Sequence, residues 1–476
     1  MLWYAMPRST RLSSPLRQLT IGRNRHPAIA FAALVTIGSV AACDTPPSTE
    51  PVAPVFSRES SDPLAAEVRQ LAAARGIGAL PPVRKVREPL VLLGRALAFD
   101  PILSGNRNIS CMTCHVPGFG TGDGKSLSIG EGGTGLGPDR VHPQGIFIPR
   151  NAPPLFNLGA MRRLFWDGRV EVDDAGTFHT PAGGQLTADM IRVFEFGPVS
   201  ALALFPVTNR FEMRAFEGNE LAAIPDSDFT GIWQALMARL GAIKEYRALF
   251  EAAYPGTSFD DMSFAHASNA IGGFFVDRLT TNDSPWDRFL AGGDHALTTR
   301  QLQGAKTFMS LKCSICHSGP TFSDQEFHNV AVAQIGPGTG SGASGRDDFG
   351  RMSVSNDAVD QYRFRTTPLR NVELTAPYGH DGAILDLRGF IEHYSESHLK
   401  LLAFDPSPLE PLLRGTLLPN ASDILTTRDP LLEGVVLTED LVNQLMDYMS
   451  ALTDDRARNL ARITPQRVPS GLPIDR

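Results

Sequence analysis

The sequence predicts a mainly α-helical chain folded as two domains with long Gly- and Pro-rich loops. Three observations predict it. Apolar residues recur at helical spacing in seven segments, and strand signals are few. A chain of 476 residues is too long for one compact core. Two copies of Cys-x-x-Cys-His, CMTCH at 111–115 and CSICH at 313–317, put the same small signature in each half.

The amino terminus comes first. Residues 1–42 hold five arginines, no lysine and no acid, and close with the apolar run AIAFAALVTIGSVAA, Ala28–Ala42. A basic stretch before a short apolar run reads as an export signal. The run is shorter than the ~20 residues a membrane helix takes. It ends Val40-Ala41-Ala42-Cys43, which resembles a bacterial lipobox. Cys43 is therefore expected as a lipid-bearing new N-terminus, in preference to a plain cleaved signal with an incidental cysteine. The following DTPPSTEPVAPVFSRESSD, Asp44–Asp62, is Pro- and Ser-rich without an apolar face. It reads as a tether, spanning 43–62 with the anchor. Losing 1–42 moves the formal charge from −7 to −12. An acidic surface argues against nucleic acid and suits a partner with a basic docking patch. The expected location is the periplasm, with the membrane reached through Cys43.

Helical patterns then run at 63–75, 89–99, 230–254, 262–280, 299–311, 386–396 and 438–453. In 299–311, Leu302, Ala305, Phe308 and Leu311 share a face, and Thr298 or Thr299 is the cap. Gly-rich stretches at 118–138 and 336–350 read as loops. A boundary in AGGDHAL, Ala291–Leu297, divides the chain into a first domain, 63–295, and a second, 296–460. The tail, 461–476, caps one domain or trails free.

With Cys43 set aside, every cysteine lies in a Cys-x-x-Cys-His motif. A thioredoxin-like redox pair needs one such pair in a βαβ setting, which is missing. Zinc sites keep their two pairs close in sequence, whereas 198 residues separate Cys114 from Cys313. Covalent c-type haem remains: two thiols add to the vinyl groups and the adjacent His ligates the iron. The motifs predict two haem c groups, on Cys111 and Cys114 with His115, and on Cys313 and Cys316 with His317.

Several stretches then match a known family. LGRALAFDPILS…ISCMTCH, PRNAPPLFN, LFWDGR, NRFEM, CSICH with GPTFSD, and TPLRNVELTAPYGHDG occur in order between about residues 87 and 455. The chain resembles the bacterial di-haem cytochrome c peroxidases and their MauG-type relatives. The resemblance implies two cytochrome-c-like domains, the first haem peroxidatic and the second an electron relay. It makes Glu212, in NRFEM, the acid-base group that moves a proton between the oxygens of H2O2. It makes Trp166, in LFWDGR, the aromatic relay between the haems. Asn151, Thr375 and Pro377 match a calcium site, suited to a hard cation by its oxygen donors. The implied partners are hydrogen peroxide and a donor, either a small cytochrome c or a protein substrate. A homodimer is the state many members adopt. Taken without the resemblance, Glu212 reads as a surface acid and Trp166 as an interface aromatic.

Two departures from the family pattern carry weight. Many members bear a His in the loop after the first motif, closing the peroxidatic iron until the other haem is reduced. Glu131 stands there, in LSIGEGGTGLGPDR. The expectation is an iron open without reductive activation; His142 is the first substitute and His179 the second. Many members also place a Met fourteen residues after the His of PYGHDG as the second haem's sixth ligand. That count from His380 reaches Tyr394, as in MauG-type enzymes. A phenolate favours the oxidised metal more than a thioether does. Met352 is the main competitor, His393 points elsewhere on the helix, and His398, Met446 and Met449 are outsiders. The leading function is a peroxide-using oxidoreductase. The runner-up is a lipid-anchored electron-transfer cytochrome without peroxide chemistry, and the third is a structural or zinc-binding lipoprotein.

Overall fold

The computed structural model describes residues 62–82 and 84–475. Cys43, the export segment and all but the last residue of the tether lie outside the described residues. The segments with helical periodicity form helices at Pro63–Ala74, Glu88–Phe99, Phe264–Arg278, Thr299–Ser310, Leu387–His393 and Glu439–Ala451. Local chemistry sets their ends. The Asp62 carboxylate accepts from Leu64 N at 2.9 Å ahead of Pro63. Thr298 and Gln301 form a capping box. The 230–254 pattern divides into Phe229–Gly241 and Lys244–Ala253. The Phe259 ring occupies the space where a side chain at Gly241 would stand, and Ile243 is extended.

Two apolar cores result. In the first, Glu88–Phe99 packs along Phe264–Arg278, burying Leu90, Leu93, Leu97, Ile271 and Phe274. In the second, Thr299–Ser310 crosses Glu439–Ala451, burying Leu302, Phe308, Leu445 and Tyr448. Each crossing is built on a glycine. A Cβ at Gly94 would fall 1.9 Å from the Ala270 carbonyl oxygen, and one at Gly304 would fall 2.0 Å from that of Gln444. The helix carrying each glycine leads the chain toward a short Cys-x-x-Cys turn, Cys111–Cys114 or Cys313–Cys316. Gly304→Ala is therefore expected to destabilise the fold by about 1–3 kcal/mol through overpacking. Chemical denaturation checks this, and a change within ~0.5 kcal/mol contradicts so close a crossing.

Both ends of the described residues pack across the expected boundary. Ala65, Val68, Ala72 and Ile77 join the second core, although they precede the first motif. The crossed helices there leave an apolar flank that Pro63–Ala74 covers. The tail returns to the first core, where Leu460, Ile463 and Val468 are buried. Arg467 forks onto Glu245, Ser470 Oγ donates to Asp100 at 2.6 Å, and the Thr113 hydroxyl donates to Asp475 at 2.5 Å. The tail thus caps the first core.

Strands are few, as expected. Arg163–Leu164, Val170–Val172 and Phe178–His179 form one antiparallel sheet, and Phe327–His328 pairs with Phe364–Arg365. Among the described residues, no helix is long and apolar enough to cross a membrane.

Candidate active site

None of the four motif cysteines is joined in a disulfide. Burial pushes Cys111 up to about 12 and Cys313 up to about 11. The motif histidines are prepared alike. His115 Nδ1 lies 2.9 Å from the Thr121 carbonyl oxygen, and His317 Nδ1 lies 3.0 Å from that of Phe322. A carbonyl only accepts, so Nδ1 carries the proton and Nε2 keeps its lone pair. Burial also lowers both imidazoles, favouring the neutral ligand form. Unpaired thiols beside a histidine of fixed tautomer suit thioether attachment and iron ligation.

The second motif opens on an apolar cavity of about 400 Å3. Cys313, Cys316, His317 and Tyr394 line it together. Tyr394 lies in buried surroundings that raise its phenol. His393, beside it, turns away and bonds the Val330 carbonyl oxygen at 2.8 Å through Nε2. Met352 begins the short helix Met352–Ser355 and is not part of the lining; Met449, buried in the second core, is. The chain's own residues thus fit a haem here, with His317 and Tyr394 on one cavity. Asn151, Thr375, Pro377 and Trp166 also line this cavity. The Asn151 amide donates to the carbonyl oxygens of Lys125 at 2.9 Å and Ser126 at 3.3 Å.

Glu212 lies near the first motif. It sits in a π-helical turn, Arg210–Arg214. The Asn209 side chain caps that turn, accepting from Phe211 N at 2.9 Å and Glu212 N at 3.2 Å. Its charge is close enough to raise both Cys111 and Cys114. Burial pushes the Glu212 carboxyl above the ordinary glutamate range, and Arg169, 4.0 Å away, pulls part of that back.

The loop after the first motif is locked. Arg140 donates to the carbonyl oxygens of Ile129, Gly130 and Gly135 at 2.6, 2.8 and 2.9 Å. Glu131 is buried; its N–H donates to the Phe211 carbonyl oxygen at 3.1 Å and its carboxylate accepts from Asn106 at 2.6 Å. His142 Nδ1 accepts from Gln144 N, and its Nε2 stands where a side chain at Gly132 would, next to Glu131. His179 pairs with Asp173 on the surface.

Trp166 lines the cavity at the second motif. The motif FWDGR is the tip of the hairpin between Arg163–Leu164 and Val170–Val172. Trp166 Nε1 donates to the Asn151 carbonyl oxygen at 2.9 Å, and the Trp166 carbonyl accepts from Arg365 N at 2.8 Å. Arg351 donates to the carbonyl oxygens of Asp167 and Gly168, both at 3.2 Å. From Glu212 a row of charges runs through Arg169, Asp167 and Arg150 to Asp348. The contacts are 4.0, 3.2, 2.5 and 2.6 Å. The sequence reading missed this row. Its only local signal was the alternation of Asp167 and Arg169, since the partners come from distant segments.

Fold and site together define a mainly α-helical oxidoreductase with two sites for covalently attached haem. The model for the family described as di-haem cytochrome c peroxidase matches residues 88–295. Cytochrome c551 peroxidase of Pseudomonas aeruginosa is 32% identical over 318 residues, 66% of this chain and 74% of the relative. Methylamine utilization protein MauG of Methylorubrum extorquens is 27% identical over 325 residues, covering 67% and 73%. A solved structure titled a MauG-like protein associated with microbial copper homeostasis aligns over 82% of this chain and 97% of its own. Its TM-score is 0.57 at 25% identity. The chain belongs to the di-haem cytochrome c peroxidase family.

Proposed function

We propose that this protein uses hydrogen peroxide at the first haem without prior reduction of the second, in the manner of MauG, to oxidise an external donor. The donor is a small cytochrome c or a protein side chain. One observation carries this reading: the locked loop holds Glu131, not a histidine, beside the Phe211–Glu212 backbone. His115 would hold the first iron. Haem iron, when bound, supplies the redox chemistry. Glu212 takes a proton from the near oxygen of H2O2 and returns it to the far one, so that water leaves. Trp166, pinned at its indole N–H and its carbonyl, is the relay between the sites. His317 and Tyr394 would hold the second iron, and a Tyr394 phenolate would favour its oxidised state. Asn151, Thr375 and Pro377 would hold a calcium ion through oxygen donors. The lipid anchor on Cys43, periplasmic location and homodimer belong to this reading.

The test is consumption of peroxide by the purified two-haem protein with a reduced small cytochrome c. One H2O2 per two electrons is expected. A protein that carries both haems and passes electrons but leaves peroxide intact refutes the reading and restores the anchored electron-transfer cytochrome.

A further inference from the structure

His328 is unused by the chemistry above, yet it stands at the second site. It ends the strand Phe327–His328 and lines the same cavity as Cys316 and Tyr394. Its Nδ1 lies 2.5 Å from Asp429 Oδ2, and its Nε2 lies 3.0 Å from Asp324 Oδ2. The ligand atoms of His328, Asp324 and Cys316 all fall within 4.8 Å of one another. A metal ion is not the explanation. Both ring nitrogens already face carboxylates, and Cys316 is taken by haem attachment.

The carboxylates are fixed from behind. Asp324 Oδ1 accepts from Glu326 N at 3.0 Å, and Asp429 Oδ1 from Leu431 N at 2.9 Å. Asp324 N donates to the Cys316 carbonyl oxygen at 2.8 Å, so the group is tied to the motif itself. An ionised carboxylate only accepts, so the ring needs an N–H on each nitrogen, and neutral imidazole has one. The three side chains are between 10% and 20% exposed, which weakens solvent screening of the charge.

We propose that His328, held as an imidazolium between Asp324 and Asp429, is a positioning residue that sets the reduction potential of the haem attached at Cys313 and Cys316. Burial opposes the charged ring, but the hydrogen bonds to Asp324 and Asp429 outweigh it and raise His328 far above the imidazole range. The inference rests on CSICH as the second haem's attachment point. A phenolate from Tyr394 stabilises the oxidised iron. The imidazolium offsets one of the two carboxylates beside the Cys316 sulfur, so the group carries one net negative charge instead of two and the potential is higher than the carboxylates alone would set.

The test is a spectroelectrochemical titration of the two-haem protein and of His328→Gln and Asp429→Asn, at one pH and ionic strength. His328→Gln removes the cation and lowers the second haem's midpoint. Asp429→Asn removes an anion and raises it. A tenfold change in the oxidised-to-reduced ratio, about 59 mV for one electron, is expected in each direction. The first haem's midpoint stays put. Shifts of the same sign in both variants, or no shift with both haems attached, overturn the proposal. If His328→Gln fails to fold, Asp429→Asn alone decides, since an unchanged or lowered midpoint contradicts it. Loss of the second haem's absorbance in the wild type would instead refute the attachment reading.

Discussion

Glu212→Gln lowers kcat/KM for hydrogen peroxide by about 10²–10⁴-fold while both haems stay attached. The amide keeps the shape but cannot take a proton. Burial holds the wild-type carboxyl above its ordinary range. Below that raised value Glu212 is protonated and cannot act as base, so kcat/KM rises with pH through a midpoint above ~4.3, the free glutamate value. Arg169 counteracts burial, so Arg169→Gln moves the midpoint further up. The pH profile of wild type and Arg169→Gln checks both statements. A profile flat across the acid range, or a midpoint unmoved in Arg169→Gln, contradicts the role.

Arg150→Met costs about 3–5 kcal/mol of stability, because it leaves buried anions without their partner. Arg150 is 11% exposed and pairs with Asp167 at 7% and Asp348 at 4%. Burial works against both carboxyls, but Arg150 outweighs it and holds them below the ordinary aspartate range. Such depressed groups add stability above the unfolded value, ~3.9, and lose it as pH falls through their folded values. Without Arg150, Asp348 is pushed up instead, since burial is left to act. The gap between variant and wild type is therefore widest near neutral pH and narrows in acid. Urea denaturation at pH 7 and pH 4 reads this directly. Equal loss at both values, or less than ~1 kcal/mol at pH 7, shows that the row is not a buried ion-pair chain.

The parts of the fold legible in the sequence were those written locally. The helix 299–311 announced itself through Leu302, Ala305 and Phe308 and its Thr298 cap. The two attachment motifs are contiguous, and Tyr394 was reached by counting from His380. What distant segments decide was not legible. Residues 63–77 have an amphipathic pattern, but nothing in it says that they cover the second core. The sequence left open whether the tail caps a domain or trails free, because Val468 and Leu472 are too sparse for any period; they close the first core. The turn holding Glu212 is π-helical, a geometry without a sequence period. Arg140, Arg150 and His328 carry no local signal in the sequence. Each acquires its meaning from carbonyls or carboxylates that only the fold brings near.

The central claim is that peroxide reaches the first iron in the fully oxidised protein and that Glu212 then moves the proton. The most direct measurement is an anaerobic optical titration of the fully oxidised two-haem protein with stoichiometric H2O2 and no reductant, repeated on Glu212→Gln. The account predicts an immediate change in the Soret band in the wild type and a change slowed by about 10²-fold or more in the variant. A wild-type spectrum that stays constant until one haem has been reduced contradicts it, and places a closing ligand on the first iron.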